Sequence, residues 1–500
     1  MDSHTTFKKL YAIKDKIDFK GFSAIIWVLP QGFSDQKISK LFEEKMAVTL
    51  LSFIKERDFK FKVKGQLTFD ISPSQKFSIL VVPKNFSAFT ALELAREVLS
   101  PLKSEQKGSV LVDLREIGNN ESLMVDSLVS AAVVLNYLPP KYKAVSKKLK
   151  PELDSRLSIS FQLSHNRLAT SQKIAVQSEA SAHKTNLVRT LTQRAGNDLT
   201  PTTYVKIAKE WVQKVGIKSE FLPLSVLTTM KAGAFLAVAQ GSSENGGGIL
   251  KLSYHPKKGT RKIALVGKGI TFDTGGNNLK TGSHMFGMNN DMAGSAVVLA
   301  LCLLAAEEQW PIHVTGYMAI TENILSGKAY RPNDVITSLS GKTIEVVDTD
   351  AEGRMVLADT LTLASRERPD LVIDFATLTG SVIRALGTQY SGGYSNRKRL
   401  LSMIHKAGKV SGERVWPFPN DSDYGRCLKS DIADIRQCRV TGGVDHIEAA
   451  YFLSQFVEKG VPWIHIDLGA MEPEEPLAHI AKKPSGFGVR FGKELIHSVL

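Results

Sequence analysis

Residues 262–276, KIALVGKGITFDTGG, begin as an apolar, β-branched run and end among glycines, with Lys268 and Asp273 between. The run Lys262 to Val266 predicts a buried parallel strand, because helices cover both faces of such strands. His313 to Ala319 (HVTGYMA), Leu371 to Phe375 (LVIDF) and Trp463 to Leu468 (WIHIDL) have the same character. Helical patterns between them supply the crossovers that parallel strands require. This half of the chain is therefore α/β, an architecture whose ligands collect outside the C-terminal ends of strands. Lys268 directly follows its predicted strand and Asp273 comes five residues later, while Gly267, Gly269, Gly275 and Gly276 allow tight turning and close approach. The glycines do not form a phosphate loop, since neither GxxxxGKS/T nor GxGxxG is present.

Further charged residues follow in the same neighbourhood. Lys280 and Asp291 lie beyond the glycines, and 348–354 reads DTDAEGR. Asp291 precedes an apolar run, Gly294 to Ala306, and in isolation is an N-cap for that helix. Asp350 and Glu352 stand two apart between the strand-like Thr343 to Val347 and the helical Met355 to Ala364. In an extended segment that spacing sends both carboxylates to one side. Carboxylates crowded this way repel one another unless cations offset the repulsion. An oxygen-rich set with few histidines suits Mg, Mn or Zn, and a pair of such ions can activate water and hold a carbonyl oxygen. The two lysines are open to separate readings: salt-bridge partners, a neutral metal ligand, or a cation that steadies an oxyanion.

Composition bounds the rest. Five hundred residues, 43% hydrophobic and 23% charged, suit a globular protein of two domains. The apolar run at 294–306 is too short to span a bilayer and reads as a buried helix. The N-terminus lacks the apolar core and cleavage site of a secretory signal, and Cys302, Cys427 and Cys438 form no CxxC pair, so a cytoplasmic location without disulfides is expected. The net charge is +14, and residues 1–190 hold 29 Lys and Arg against 19 Asp and Glu, which concentrates the excess there. A solvated lysine-rich face explains this better than nucleic-acid binding, for which no motif is present. Strand-like Ser23 to Leu29, Phe77 to Val82 and Ser109 to Leu114 alternate with helical Ala88 to Leu102 and Leu123 to Tyr137, so an N-terminal α/β domain is expected over 1–165 and a second domain over 166–500, the boundary lying near Asn166.

The blocks MKAGAFLAVAQGS, VGKGITFDTGG, MNNDMAG, TENILSGKAYRPNDVI, DTDAEGRMVLADTLTLA and FATLTG, in that order, resemble the leucyl aminopeptidase family, the dimetal exopeptidases also called M17. The resemblance covers roughly residues 190–490. It implies a C-terminal catalytic domain with a mixed central sheet, a smaller variable N-terminal α/β domain, and a homohexamer. It implies two divalent ions, Zn or Mn with Mg as a further option, held by Lys268, Asp273, Asp291, Asp350 and Glu352, with Asp273 and Glu352 bridging. Lys280 matches the residue that polarises the substrate carbonyl, and Arg354 matches the residue that holds a bicarbonate acting as proton shuttle. Met288, Thr377 and Gly380 match positions lining the first side-chain pocket, and Leu378 matches a backbone contact to substrate. The activity implied is metal-dependent release of N-terminal, leucine-like residues from peptides by dimetal-activated water. A DNA-binding or assembly protein on a retained peptidase scaffold is the alternative.

Several positions depart from the family pattern. Asn289 stands where Lys or Arg is usual and Asp348 where Asn is usual, which predicts a more negative site with altered metal affinity or pH optimum. In TGGVDHIEAAYFLSQFV, His446 and Glu448 replace small residues; for His446 a local surface or interface role is expected over metal ligation.

Overall fold

The computed structural model describes residues 6–12, 19–34, 37–38, 44–61, 64–105, 108–143, 156–164, 167–242 and 247–499. The chain divides into two compact units, residues 1–183 with 476–481, and residues 184–475 with 482–500. Asn166, where the sequence suggests a boundary, lies outside the described residues. The division falls instead between His183 and Lys184, inside the helix Leu168–Thr192. No change of composition marks it, because one continuous helix carries the chain across it.

The first unit holds a six-stranded sheet of β1 (Phe7–Ala12), β2 (Ala24–Pro30), β3 (Gly65–Ser72), β4 (Gln75–Val82), β5 (Ser109–Asp113) and β6 (Ser158–Leu163), ordered β1-β6-β5-β2-β4-β3. All neighbours are parallel except β3, which runs antiparallel to β4. Period-two alternation sorts the side chains. From β2, Ala24, Ile26 and Val28 enter a core shared with the helices Ala88–Ser104 and Glu121–Leu135. Ile25, Trp27 and Leu29 enter another, with Leu50 and Ile54 of the helix Glu44–Glu56 and with Phe33, Phe61, Phe69 and Phe77. Both faces of the strand are thus covered, which is why its sequence is apolar without a break.

The second unit contains β7 (Lys218–Pro223), β8 (Gly248–Tyr254), β9 (Lys262–Asp273), β10 (His313–Asn323), β11 (Val335–Thr337), β12 (Thr343–Glu345), β13 (Leu371–Ala376), β14 (Ser391–Ser395), β15 (Val415–Pro417), β16 (Ile435–Arg436) and β17 (Trp463–Asp467). Eight form a mixed sheet ordered β15-β14-β17-β13-β9-β10-β8-β7, and β11-β12-β16 make a small second sheet. The central strands β17, β13, β9 and β10 of the larger sheet are parallel, whereas β14 runs antiparallel to β17 and β8 antiparallel to β10. Strand β9 is longer than KIALV alone suggests. Parallel pairing with β10 continues through Lys268, opposite Ala319, to Asp273, opposite Asn323, so both charged residues lie within the strand and not after it.

The helix Ala293–Glu307 is buried almost along its full length. The stretch Gly282–Glu307 is apolar enough by composition to cross a bilayer, but 83% of its apolar window is packed inside the protein, as a core helix requires. Two glycines let it lie against the sheet. A Cβ on Gly267 would fall 2.5 Å from the Cα of Ser295, and one on Gly294 would fall 2.0 Å from the carbonyl oxygen of Phe375. Gly294→Ala is expected to cost about 3 kcal/mol, since overpacked cores relax only by moving backbone. Gly327→Ala, where a Cβ meets nothing within 4 Å, serves as control. Urea denaturation should separate the two variants, and coincident curves would refute this packing account.

Candidate metal centre

Five acidic and basic side chains meet where β9 ends. Lys268 and Asp273 come from β9, and Asp291 follows the one-turn helix Met288–Asn290. Asp350 sits in a turn, and Glu352 is the first residue of the helix Glu352–Arg366. Asp291 is not a helix cap: Met292 occupies that position, with no side-chain cap bond. Its Oδ1 instead accepts from the hydroxyl of Thr377 at 2.6 Å. Asp350 and Glu352 do converge, but through a turn into a helix and not by strand alternation.

Asp273, Asp350 and Glu352 each bring one oxygen to within 4.8 Å of the others. Two lysines lie between carboxylates. The Lys268 ammonium is 2.8 Å from both Asp291 Oδ2 and Glu352 Oε1, and donates to the carbonyl of Thr377 at 3.0 Å. Lys280 is 3.0 Å from Asp273 Oδ2 and 2.5 Å from Asp350 Oδ1. Despite those close charges, both oxygens of Glu352 and Oδ2 of Asp291 are buried without an aligned hydrogen-bond donor. Buried carboxylate oxygens lacking donors are costly. A divalent cation among them meets the need that the lysines leave unmet, so the residues fit metal.

Titration behaviour follows from the same crowding. Burial raises Asp291 to about 6, offset in part by Lys268. Glu352 is pushed well above the carboxylate range by burial and by Asp273. Burial and Asp273 raise Asp350 as well, against the pull of Lys280. For Lys268 burial acts downward, but Asp291, Glu352 and Asp273 outweigh it and leave the ammonium harder to deprotonate. Lys280 is raised in the same way by Asp273 and Asp350.

Surrounding residues hold the carboxylates in register. Asp273 Oδ1 accepts from the Gly275 amide at 2.9 Å and from Asn323 Nδ2 at 2.8 Å. Gly275 and Gly276 both adopt positive φ, where a side chain would be strained. Thr349 accepts from the Asn278 amide at 2.7 Å and donates to the Gly275 carbonyl at 2.6 Å, tying the glycine turn to the Asp350 turn. Asp467, at the end of β17, accepts from the Leu378 amide at 3.0 Å and the Thr379 hydroxyl at 2.8 Å. Asn323, Thr349 and Asp467 are not singled out by sequence reasoning. Their only signal is position, at or beyond strand ends.

The carboxylates open into a cleft of about 840 Å³ whose wall includes Met288, Thr377, Leu378, Gly380, Lys280 and Arg354. All eleven residues implicated by sequence therefore gather at one cleft. Asn289 turns elsewhere, donating to the backbone carbonyls of Thr192 and Arg194 at 3.3 and 2.7 Å. Asp348 accepts from the Asp350 amide at 2.9 Å, a bond that an Asn carbonyl could equally accept. His446 is buried, not on the surface as expected. Its Nδ1 meets the Ser381 hydroxyl at 2.6 Å and its ring lies 4.9 Å from Phe418.

A family model described as the cytosol aminopeptidase family, catalytic domain, matches residues 186–491. A probable cytosol aminopeptidase of Rhodopseudomonas palustris (strain BisA53) is 33% identical over 446 residues, covering 87% of this chain and 88% of its own. The cytosol aminopeptidase of Rickettsia prowazekii (strain Madrid E) is 35% identical over 375 residues, 74% of each chain. Among solved structures, a mutant of tomato leucine aminopeptidase is similar with a TM-score of 0.84, at 27% identity, over 99% of this chain and 97% of its own. The bottromycin maturation enzyme BotP in complex with Mn is similar with a TM-score of 0.81, at 27% identity, over 95% and 99%.

A metal bound among these carboxylates must expel the protons they retain, so its affinity should fall as pH drops through about 6, the value to which burial raises Asp291. Titrating metal-stripped protein with Mn at about pH 8 and about pH 5.5 should show binding at least ~10-fold weaker at the lower value, with proton release on binding. Equal affinities would contradict this electrostatic reading.

Proposed function

The chain belongs to the cytosol aminopeptidase family and is a metal-dependent aminopeptidase, and from that premise we propose a role for each residue of the cleft. Asp273, Asp350 and Glu352 would hold one divalent ion. Lys268, Asp273, Asp291 and Glu352 would hold a second, with Asp273 and Glu352 common to both sets. The observation that carries this reading is the convergence of the three carboxylates, with two lysines acting as their counter-charges. When bound, the ions supply Lewis acidity, lowering the pKa of water and polarising the scissile carbonyl. Zn and Mn are the proposed ions, and the Mn bound to the structurally similar BotP supports Mn.

Lys268, which contacts Asp291 and Glu352, would serve as a ligand in its neutral amine form. Lys280 stays an ammonium. It lines the cleft beside Asp273 and Asp350, where its charge would steady the oxyanion that forms on the substrate carbonyl. Because Asp467 takes up the Leu378 amide, the Leu378 carbonyl is the group left to meet the substrate backbone. Met288, Thr377 and Gly380 form the pocket for the first side chain. A Cβ on Gly380 would meet nothing nearer than Arg384 at 3.9 Å, so glycine keeps that wall open, in keeping with a leucine-sized residue. Peptide substrates, a cytoplasmic location and a homohexamer complete the proposal, supported by the relatives' names and, for the hexamer, by family resemblance. The DNA-binding alternative finds no support in the matches.

Hydrolysis of leucyl amide should require Mn or Zn and cease with a chelator. Glu352→Ala should abolish it, and a retained rate would end this assignment of roles. Gly380→Val should reduce kcat/KM for leucyl substrates about 10-fold more than for alanyl substrates, as expected when a pocket loses the volume of a few methylenes. An equal effect on both would remove Gly380 from the pocket.

A further inference from the structure

Arg354 already has an anion. Its Nη2 donates to Asp445 Oδ1 and Oδ2 at 2.8 and 2.9 Å, and its Nη1 donates to the carbonyl of Gln437 at 3.3 Å. Of its three nitrogens, Nε alone is buried without a partner. Arg354 itself is 2% exposed, whereas the Asp445 side chain keeps 35% of its surface and lines the same cleft as Asp350, Glu352 and Lys280. Bicarbonate expected at this arginine would therefore have to displace Asp445 or sit beside it as a second anion on one guanidinium. The residues present do not fit it.

The surrounding segment is built for a resident carboxylate. Asp445 opens the helix Asp445–Ser454, where the helix dipole favours negative charge. Gly442 and Gly443, both at positive φ, turn the chain into that helix. One turn on, buried Glu448 accepts from the Nε of Arg439 at 3.0 Å, so two acids of the first turn each engage one arginine of the cleft wall. Sequence comparison draws attention to His446 and Glu448, but the residue that changes the chemistry is their neighbour.

We infer that Asp445 is the built-in anion of Arg354 and carries the proton of the hydrolysis, so that this aminopeptidase works without bicarbonate. The inference rests on the role proposed above for the cleft. Water adds its oxygen to the peptide carbonyl carbon while one of its protons passes to the Asp445 carboxylate. The C–N bond then breaks as that proton is delivered to the departing nitrogen, and Asp445 returns to its ionised form.

Two measurements test this. The first follows leucyl amide hydrolysis with Mn in CO2-free buffer, with and without added bicarbonate. The parent rate should be the same in both. Asp445→Ala should be about 10²-fold slower in the CO2-free buffer, the usual scale for losing a proton carrier, and should recover on adding bicarbonate. Asp445→Asn, which preserves shape, should be slow in both buffers. The second follows line broadening of [13C]bicarbonate by metal-free protein: none with the parent, broadening with Asp445→Ala, and none again with Asp445→Ala/Arg354→Gln. A parent rate that rises with bicarbonate, an Asp445→Ala or Asp445→Asn rate equal to the parent in CO2-free buffer, or broadening by the parent that Arg354→Gln removes would each overturn the inference. If the parent hydrolyses nothing in either buffer, the role proposed for the cleft has failed, while the resonance measurement still decides what Arg354 holds.

Discussion

Mutual repulsion among Asp273, Asp291, Asp350 and Glu352 is the constraint to which the catalytic half of this protein answers. Three of the four are almost wholly buried, where isolated charges cost several kcal/mol each. Lys268 and Lys280 lower that cost by each contacting two carboxylates. They do not remove it, because three carboxylate oxygens still lack aligned donors. Under the role proposed for the cleft, this excess of negative charge would receive divalent ions, so a feature unfavourable to folding would also be the basis of binding.

Holding such a cluster requires rigid supports, and the sheet supplies them. The extension of β9 to Asp273 sets Lys268 and Asp273 in one strand, and pairing with β10 brings Asn323 opposite Asp273. Close contact of the helix Ala293–Glu307 with β9 and β13, made possible by Gly267 and Gly294, sets where Asp291 emerges. Asp467 at the end of β17 braces the loop from Thr377 to Thr379. Each support stands at or near the C-terminal end of a parallel strand, so the topology and not any single motif assembles the site.

The part of the cleft lined by Arg354, Arg439 and Asp445 follows a different logic. There, arginine and acid occur in pairs, Arg354 with Asp445 and Arg439 with Glu448. Charges balanced within the protein do not call for an external ion, whereas the carboxylate centre does. That contrast separates carboxylates that the protein leaves short of donors from acids that it pairs internally.

The sequence by itself determined the chemistry and the fold class. Apolar runs without alternation identified strands covered on both faces, and the crowding of Lys268, Asp273, Lys280, Asp291, Asp350 and Glu352 pointed to a site suited to metal, because residue type and local spacing carry that information. Tertiary structure decided what depends on distant parts of the chain. The division of the units lies within a helix that has no compositional break. Asp291 reaches Thr377 instead of capping its own helix. Asn289 anchors the backbone at Thr192 and Arg194, and His446 is enclosed with Ser381 and Phe418. Asp445 lies 91 positions from the arginine it pairs with, and no local pattern encodes a contact at that separation. Packing of the helix Asp445–Ser454 against the helix Glu352–Arg366 brings the two charges within bonding distance.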